Sequence, residues 1–108
     1  MIPKILGSFF SRLFRATNES RLRWKVASEN SYFCVHNGTT VTVSYHFDHD
    51  REMSSYNLYI VSSESDETAF SCNQYEVEDY EEMRMLFESA SASAFSPEKS
   101  LDKFFEGL

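Results

Sequence analysis

The chain has 108 residues, of which 42% are hydrophobic and 16% aromatic, and this length corresponds to one compact domain. Three Gly and two Pro exclude collagen-like and linker-like compositions, and no apolar run approaches the ~18 residues that a membrane span needs. Ten Phe, six Tyr and one Trp supply ample apolar surface for a core. The sequence therefore predicts a single soluble globular domain over residues 1–108.

Opposite charges are segregated along the chain. Residues 1–25 contain six basic residues and one acidic residue, a net charge of +5, so the total of −7 leaves −12 for residues 26–108. An acidic surface repels phosphate backbones and attracts basic proteins. We therefore expect no nucleic-acid binding and favour a basic protein partner. The alternative is that the acidity only maintains solubility.

The N-terminal segment, residues 1–17, has the periodicity of an amphipathic helix. Its apolar residues recur three or four positions apart and lie on one face: Ile2, Ile5, Leu6, Phe9, Phe10, Leu13 and Phe14. The other face is cationic. Three interpretations remain open: the apolar face covers the domain's own sheet, docks into a partner groove, or rests with residues 1–16 on an anionic membrane. The first is favoured because Pro3 and Gly7 weaken an isolated helix.

Cysteine usage and the N-terminal sequence indicate the cytoplasm. Cys34 and Cys72 are too few for a disulfide framework and lie in apolar-alternating stretches, which is typical of buried free thiols. The first sixteen residues lack the continuous apolar segment of a secretory signal. We expect a cytoplasmic protein.

An antiparallel sheet is predicted over residues 22–77, where apolar and polar residues alternate. Asn37-Gly38 is the strongest hairpin signal, because both turn positions require positive φ. The two-residue turn fixes the register of the expected pairs: His36–Thr39, Cys34–Val41 and Tyr32–Val43. Tyr45 and Phe47 continue this face, which we expect to be the core face. The opposite face is expected to be a contact surface or to be covered by the N-terminal helix, and contains Phe33, Val35, Thr40, Thr42, Ser44 and His46.

A second hairpin follows, with strands over residues 56–61 and 68–77 joined by an exposed acidic tip at 62–67. In this interpretation the sheet has four strands, and residues 19–30 fit a helix or a strand. Asp79 and Glu82 form a capping pattern for a helix whose apolar stripe is Tyr80, Met83, Leu86, Phe87 and Ala90. The small-residue segment 89–96 is interpreted as the fraying end of that helix.

Another helix is predicted to begin at Ser96-Pro97-Glu98. The predicted fold is α+β: an N-terminal amphipathic helix (1–17), a four-stranded antiparallel sheet formed as a meander of hairpins (22–77), and two C-terminal helices (79–108) packed on the sheet.

Two clusters have residue types that are used in catalysis. His46, Asp48 and His49 lie within four residues, but no HExxH or paired-Cys motif supplies the remaining ligands of a metal site. Cys34 and His36 share a strand face, although an apolar row disfavours the reactive thiolate. We therefore expect no enzyme, no metal site and no cofactor. A small metal-dependent enzyme that uses the histidine cluster is kept as a third alternative.

Carboxylates concentrate around the second hairpin and the following helix. Glu64, Asp66 and Glu67 lie in the hairpin tip, and a further cluster follows the last predicted strand: Glu76, Glu78, Asp79, Glu81 and Glu82. The simplest interpretation is a solvated charged face. The more specific hypothesis is an acidic docking surface that meets Lys and Arg side chains of a partner.

In size, acidity and strand pattern the chain resembles the immunity proteins that bacteria encode beside polymorphic toxins, such as those delivered by type VI secretion or carried on Rhs proteins. The resemblance rests on the strand patterns at 39–47 and 56–61 and on the helix start at 76–87. It implies a protein that is monomeric alone and forms a heterodimer with a cognate toxin, blocking a basic active-site cleft with carboxylates. The expected partner-binding residues are Glu64, Asp66, Glu67, Glu76, Glu78 and Asp79, with Tyr59 and Tyr75 as aromatic anchors.

A type III secretion chaperone, an acidic homodimer, is the alternative from another class. Such chaperones resemble a pattern in which helices are interleaved between strands, whereas this chain is expected to have its strands in succession. Dimerisation would separate the chaperone from a monomeric immunity protein.

Overall fold

The computed structural model describes residues 4–64, 66–95 and 104–108, with the side chains of residues 4–6 left out. Along the chain the elements are α1 (Lys4–Asn18), β1 (Lys25–Ser28), β2 (Ser31–His36), β3 (Thr39–Asp48), β4 (Met53–Val61), β5 (Glu67–Asn73) and α2 (Val77–Ala94). The five strands form one antiparallel sheet in the order β1-β2-β3-β4-β5, so each strand pairs with its neighbour in sequence. The fold is α+β.

The prediction of four strands and two C-terminal helices is wrong: the described part of the chain has five strands and one C-terminal helix. The additional strand, β1, lies in the ambiguous segment 19–30. All four of its residues are exposed, and the turn that returns the chain to β2 contains Asn30 but neither Gly nor Pro, so its turn signal is weaker than that of Asn37-Gly38. The start predicted for a second C-terminal helix, Ser96-Pro97-Glu98, lies outside the described residues.

The first predicted hairpin is confirmed. β2 and β3 pair His36 with Thr39, Cys34 with Val41 and Tyr32 with Val43, as the two-residue turn requires. Both turn residues have positive φ, 49° at Asn37 and 76° at Gly38. Phe47 departs from expectation, because it is 39% exposed and contacts only the edge of the His49 ring among the described aromatic pairs.

The core lies between one face of the sheet and the two helices. α2 contacts all five strands, and its apolar stripe is buried as predicted, with Met83, Leu86 and Ala90 each 0% exposed. α1 packs against α2, and Phe10 and Leu13 complete the core cluster. The described apolar side chains of α1 therefore belong to the domain's own core, but α1 joins it by packing on α2 and does not cover the sheet as the favoured interpretation expected. No helix in the described part of the chain has the length and apolar character that a membrane crossing requires.

Both ends of α2 differ from expectation. The helix begins at Val77 instead of Asp79, and the side chain of Glu76 forms no cap; it accepts a hydrogen bond from the backbone N–H of Asn73 at 3.1 Å instead. At the other end, residues 89–94 remain helical, because their serines contact the rest of the fold. Ser91 donates to the Tyr32 hydroxyl at 3.1 Å, and Ser93 accepts the backbone N–H of Trp24 at 3.0 Å.

Candidate protein-binding face

No helix among the described residues covers the face of the sheet opposite α1 and α2, and we call it the open face. Strand pairing arranges its side chains in rows that run across the strands. One row contains Lys25, Phe33, Thr42, Tyr59 and Ala69. The next row contains Val35, Thr40, Val61 and Glu67. The open face therefore carries aromatic, β-branched and small residues, with charged residues at its edges.

The apolar residues of the open face are concentrated on the two strands that flank β3. Val35 is 59% exposed and Tyr59 is 41% exposed, whereas Phe33 and Val61 are half-buried by their neighbours in the sheet. On the central strand, Thr42 lies between Phe33 and Tyr59, and Thr40 lies between Val35 and Val61. Exposed aromatic and branched residues that are grouped on one face are typical of an interaction surface.

The β5 edge of the open face is acidic. Tyr59 and Glu67 are diagonal neighbours on β4 and β5, and a hydrogen bond from the Tyr59 hydroxyl to the Glu67 carboxylate raises the pKa of Tyr59. Glu64 and Asp66 are exposed in the adjoining β4–β5 turn, which is closed by a 2.9 Å hydrogen bond from the Ser62 N–H to the Asp66 carbonyl. Four of the predicted partner-binding residues are thus brought together.

The other predicted partner-binding residues lie at the opposite end of β5. Tyr75 is 72% exposed in the β5–α2 turn, and Glu76 and Glu78 are exposed beside it. Since strands rise about 3.3 Å per residue, β5 separates this group from Glu67 by roughly 20 Å. Asp79 is only 7% exposed and faces the interior of the fold, so it cannot form part of a surface. The structure therefore divides the predicted surface into two patches.

The β1 edge of the open face is basic. Trp24 is buried on the core side, so its neighbours Arg23 and Lys25 project to the opposite side. Both line a surface pocket of about 400 Å3 together with Phe33, Val35 and His36. Sequence reasoning did not select these residues, although the surplus of basic residues before position 26 was the available signal.

A second concave surface lies between α1 and the β2–β3 hairpin, with a volume of about 620 Å3. Its rim carries the exposed Arg12, Arg15 and Arg21, and its floor consists of the buried Leu13 and other core residues. The basic residues at the start of the chain therefore stay together on one side of the folded domain.

The histidine cluster does not converge. His46 projects from the open face, and His49 packs its ring against Phe47 with 4.9 Å between centroids. Asp48 closes the β3–β4 turn by accepting the Asp50 N–H at 3.0 Å. Among the described residues, no three His, Cys, Asp or Glu side chains are close enough to share a metal ion.

The cysteines are buried free thiols. Burial raises the pKa of Cys34 to about 11, and burial, followed by the charges of Glu76 and Asp79, raises that of Cys72 to about 11. Cys34 and His36 lie on the same face of β2, but His36 is the last residue of the strand and is exposed, whereas Cys34 is 4% exposed. A nucleophile requires a thiolate, and both thiols here favour the protonated form.

Two other carboxylates of α2, Glu81 and Glu88, belong to an ion-pair group on the surface of the helix. Arg84 bonds Glu81 one turn before it and Glu88 one turn after it, the latter at 2.8 Å. The hydrogen bond from Arg84 lowers the pKa of Glu81. These carboxylates are partly neutralised within the chain, unlike those at the β5 edge.

Comparisons with protein-family models, with curated proteins and with solved structures found no match to this chain.

Proposed function

We propose that the chain is an immunity protein, which binds a cognate bacterial toxin domain in the cytoplasm and blocks its active site. The observation that carries this proposal is the Tyr59–Glu67 pair on the open face, with Glu64 and Asp66 beside it. An exposed aromatic ring surrounded by carboxylates is suited to a basic protein cleft, because the ring supplies buried area while the carboxylates supply complementary charge.

The two acidic patches fit a single partner. A specific interface covers about 800 Å2 on each protein, and a patch of this area is wide enough to span the roughly 20 Å between Glu67 and Tyr75. We therefore propose that the toxin lies along β5, with Tyr59 and Tyr75 as anchors at either end. Carboxylates between them would occupy the positions of an anionic substrate, such as nucleic acid or NAD.

The test begins with affinity purification of the tagged chain from the cells that make it, followed by mass spectrometry. The captured protein is then purified, and both its toxicity and its enzymatic activity are assayed with and without this chain. The proposal requires one-to-one binding and inhibition of that activity. Glu67→Lys combined with Tyr59→Ala should weaken inhibition at least about tenfold, since central aromatic and charged residues dominate interface energies.

Glu29→Lys is the matched control, because Glu29 is exposed in the β1–β2 turn, at the opposite edge of the sheet from β5. It should leave inhibition unchanged within about twofold, as expected for a distant charge screened by salt. Capture of a secreted effector whose activity is unaffected would replace the proposal with the chaperone alternative. Equal loss of inhibition in the control and in the patch variant would contradict the assignment of this surface to toxin binding.

A further inference from the structure

We propose that the open face is self-complementary, and that two copies of the chain pack face to face about a two-fold axis parallel to β3. The free protein is then a homodimer, in contrast to the monomer that the sequence favours. This inference rests on the arrangement of the open face and does not depend on the identity of any toxin.

The rows of the open face are symmetric in chemical character about the central strand. In the first row, Phe33 and Tyr59 flank Thr42, and in the second row Val35 and Val61 flank Thr40. The two strands beside β3 therefore carry an aromatic residue at one level and a valine at the next.

The outermost positions of the rows carry opposite charges. Lys25 ends the first row on β1, and Glu67 ends the second row on β5. Continuing the β1–β2 register by two residues places Arg23 beside Val35, in agreement with the pocket that both residues line. The second row thus runs from Arg23 at one edge of the sheet to Glu67 at the other.

A two-fold axis parallel to β3 exchanges the edges of the sheet while keeping the level of each row. Phe33 of one copy then meets Tyr59 of the second copy, and Val35 meets Val61. Each valine and each ring is thus covered by a residue of the same kind, with the threonines of β3 meeting across the axis. Arg23 of each copy lies over Glu67 of the other, which gives two ion pairs at the rim.

The alternative axis, perpendicular to the strands, is disfavoured by charge. It would place the basic β1 edge over itself and the acidic β5 edge over itself, and like charges in register destabilise an interface. A two-fold axis parallel to the strands is also compatible with the usual packing of two sheets, whose strands lie within about 30° of one another. The charges therefore select one orientation.

The area suits a reversible dimer. Five strands about 4.8 Å apart, with about 20 Å of each strand facing the second copy, give a footprint of about 500 Å2 per copy and about 1,000 Å2 in total. This lies at the lower limit for a specific interface, and we expect a Kd of about 10 to 100 μM. Because Tyr59 and Glu67 also belong to the toxin-binding patch, a tightly bound partner would displace the second copy.

The test is sedimentation equilibrium of the purified chain in reducing buffer over about 1 to 300 μM protein, which brackets the expected Kd. The mass should rise from 12.6 kDa to twice that value with increasing concentration. Glu67→Arg alone and Arg23→Glu alone should each raise the Kd at least about tenfold, because each places like charges in contact.

The double variant Arg23→Glu/Glu67→Arg should restore the Kd to within about threefold of the original value, since the pair is re-formed with reversed sign. Within one chain these residues lie on opposite edges, about 19 Å apart across four strand spacings, so restoration can arise only between copies. Glu82→Arg serves as the control for charge reversal outside the face, and circular dichroism of each variant verifies that it is folded.

A chain that stays monomeric throughout the concentration range would overturn the proposal. So would a dimer whose Kd is unaffected by both single reversals, which would indicate pairing of sheet edges or contact through the helices. A homodimer is also the state that a secretion chaperone adopts, so the inhibition assay, and not the dimer assay, decides between the two functions.

Discussion

At the scale of single residues, the fold depends on a hydrogen-bonded group around Trp24. Its indole Nε1–H donates to the Thr17 hydroxyl at 3.0 Å, and that hydroxyl donates in turn to the Leu13 carbonyl at 2.8 Å. Its backbone N–H donates to Ser93 at 3.0 Å. Trp24 is 2% exposed, so water cannot replace these partners. Trp24 thereby connects α1 through its side chain and α2 through its backbone to the chain leading into β1.

Replacing Thr17 by valine tests this group. The substitution preserves the shape of the side chain but leaves the buried indole N–H without an acceptor, and we expect a loss of about 1 to 3 kcal/mol in the free energy of unfolding. Urea denaturation followed by Trp fluorescence measures it. Thr68→Val, at an exposed position of β5, is the matched control and should change stability by no more than about 0.5 kcal/mol. Equal effects in the two variants would contradict the assigned role of Thr17.

At the scale of elements, the sequence predicted structure well where the residues that determine an element are adjacent in the chain. The β2–β3 hairpin was predicted to the residue because Asn37-Gly38 determines both the turn and the register. The segment of β1 fitted a helix or a strand and was not counted in the sheet, because it is short and exposed and is ordered by pairing with β2 and by the contacts of Trp24. The serines at the end of α2 suggested fraying, yet they bond residues that are distant in sequence.

Replacing Gly38 and Gly7 by alanine should change the free energy of unfolding in opposite directions. Gly38 has φ +76°, and an added Cβ would lie 3.0 Å from the Ser63 hydroxyl in the neighbouring β4–β5 turn. We expect Gly38→Ala to lower the free energy of unfolding by about 1 to 2 kcal/mol, because alanine is strained in the left-handed region. Gly7→Ala, in α1 with open space around it, should raise it by up to about 1 kcal/mol through helix propensity.

Thermal and urea unfolding of both glycine variants provide the measurement. Combining Gly38→Ala with Ser63→Gly separates the two causes, since this removes the contact with Ser63 but leaves the backbone strain. Recovery of part of the loss would assign that part to the contact between the two turns. A Gly38→Ala protein as stable as the original would show that the turn can change its conformation without cost.

At the scale of the whole molecule, segregation of charge along the sequence becomes segregation across the fold. The basic residues of the N-terminal quarter lie around α1 and the β1 edge, while Glu67 and its neighbours lie at the β5 edge. Sequence identified the carboxylates but not their division between the two ends of β5. It also identified the core face, which carries Tyr32, Cys34 and Val43, but left open whether the N-terminal helix covers the opposite face. Strand order and helix packing supply that information.

Global stability should fall at alkaline pH because of the buried thiols. The pKa values of Cys34 and Cys72 are raised from 9.0 to about 11 in the folded protein. Below pH 9 both states keep the thiol protons; from about pH 9 to about 11 the unfolded chain loses them first, so the free energy of unfolding decreases as pH rises through that window. Each thiol steepens the decrease by at most about 1.4 kcal/mol per pH unit.

The measurement is the urea midpoint and slope in reducing buffer at half-unit steps from pH 8 to pH 11, for the original chain and for Cys34→Ala/Cys72→Ala. We expect the double variant to be less stable than the original chain, because each substitution leaves a small cavity, so the pH dependence is compared and not the absolute stability. We expect a shallower decline in the variant. Ionisation of Tyr56 contributes to the remaining decline. Burial, and after it the charges of Tyr80 and Tyr45, raises the pKa of Tyr56 to about 12. Parallel curves for the two proteins would show that the thiols ionise equally in both states, and hence that water reaches them in the folded protein.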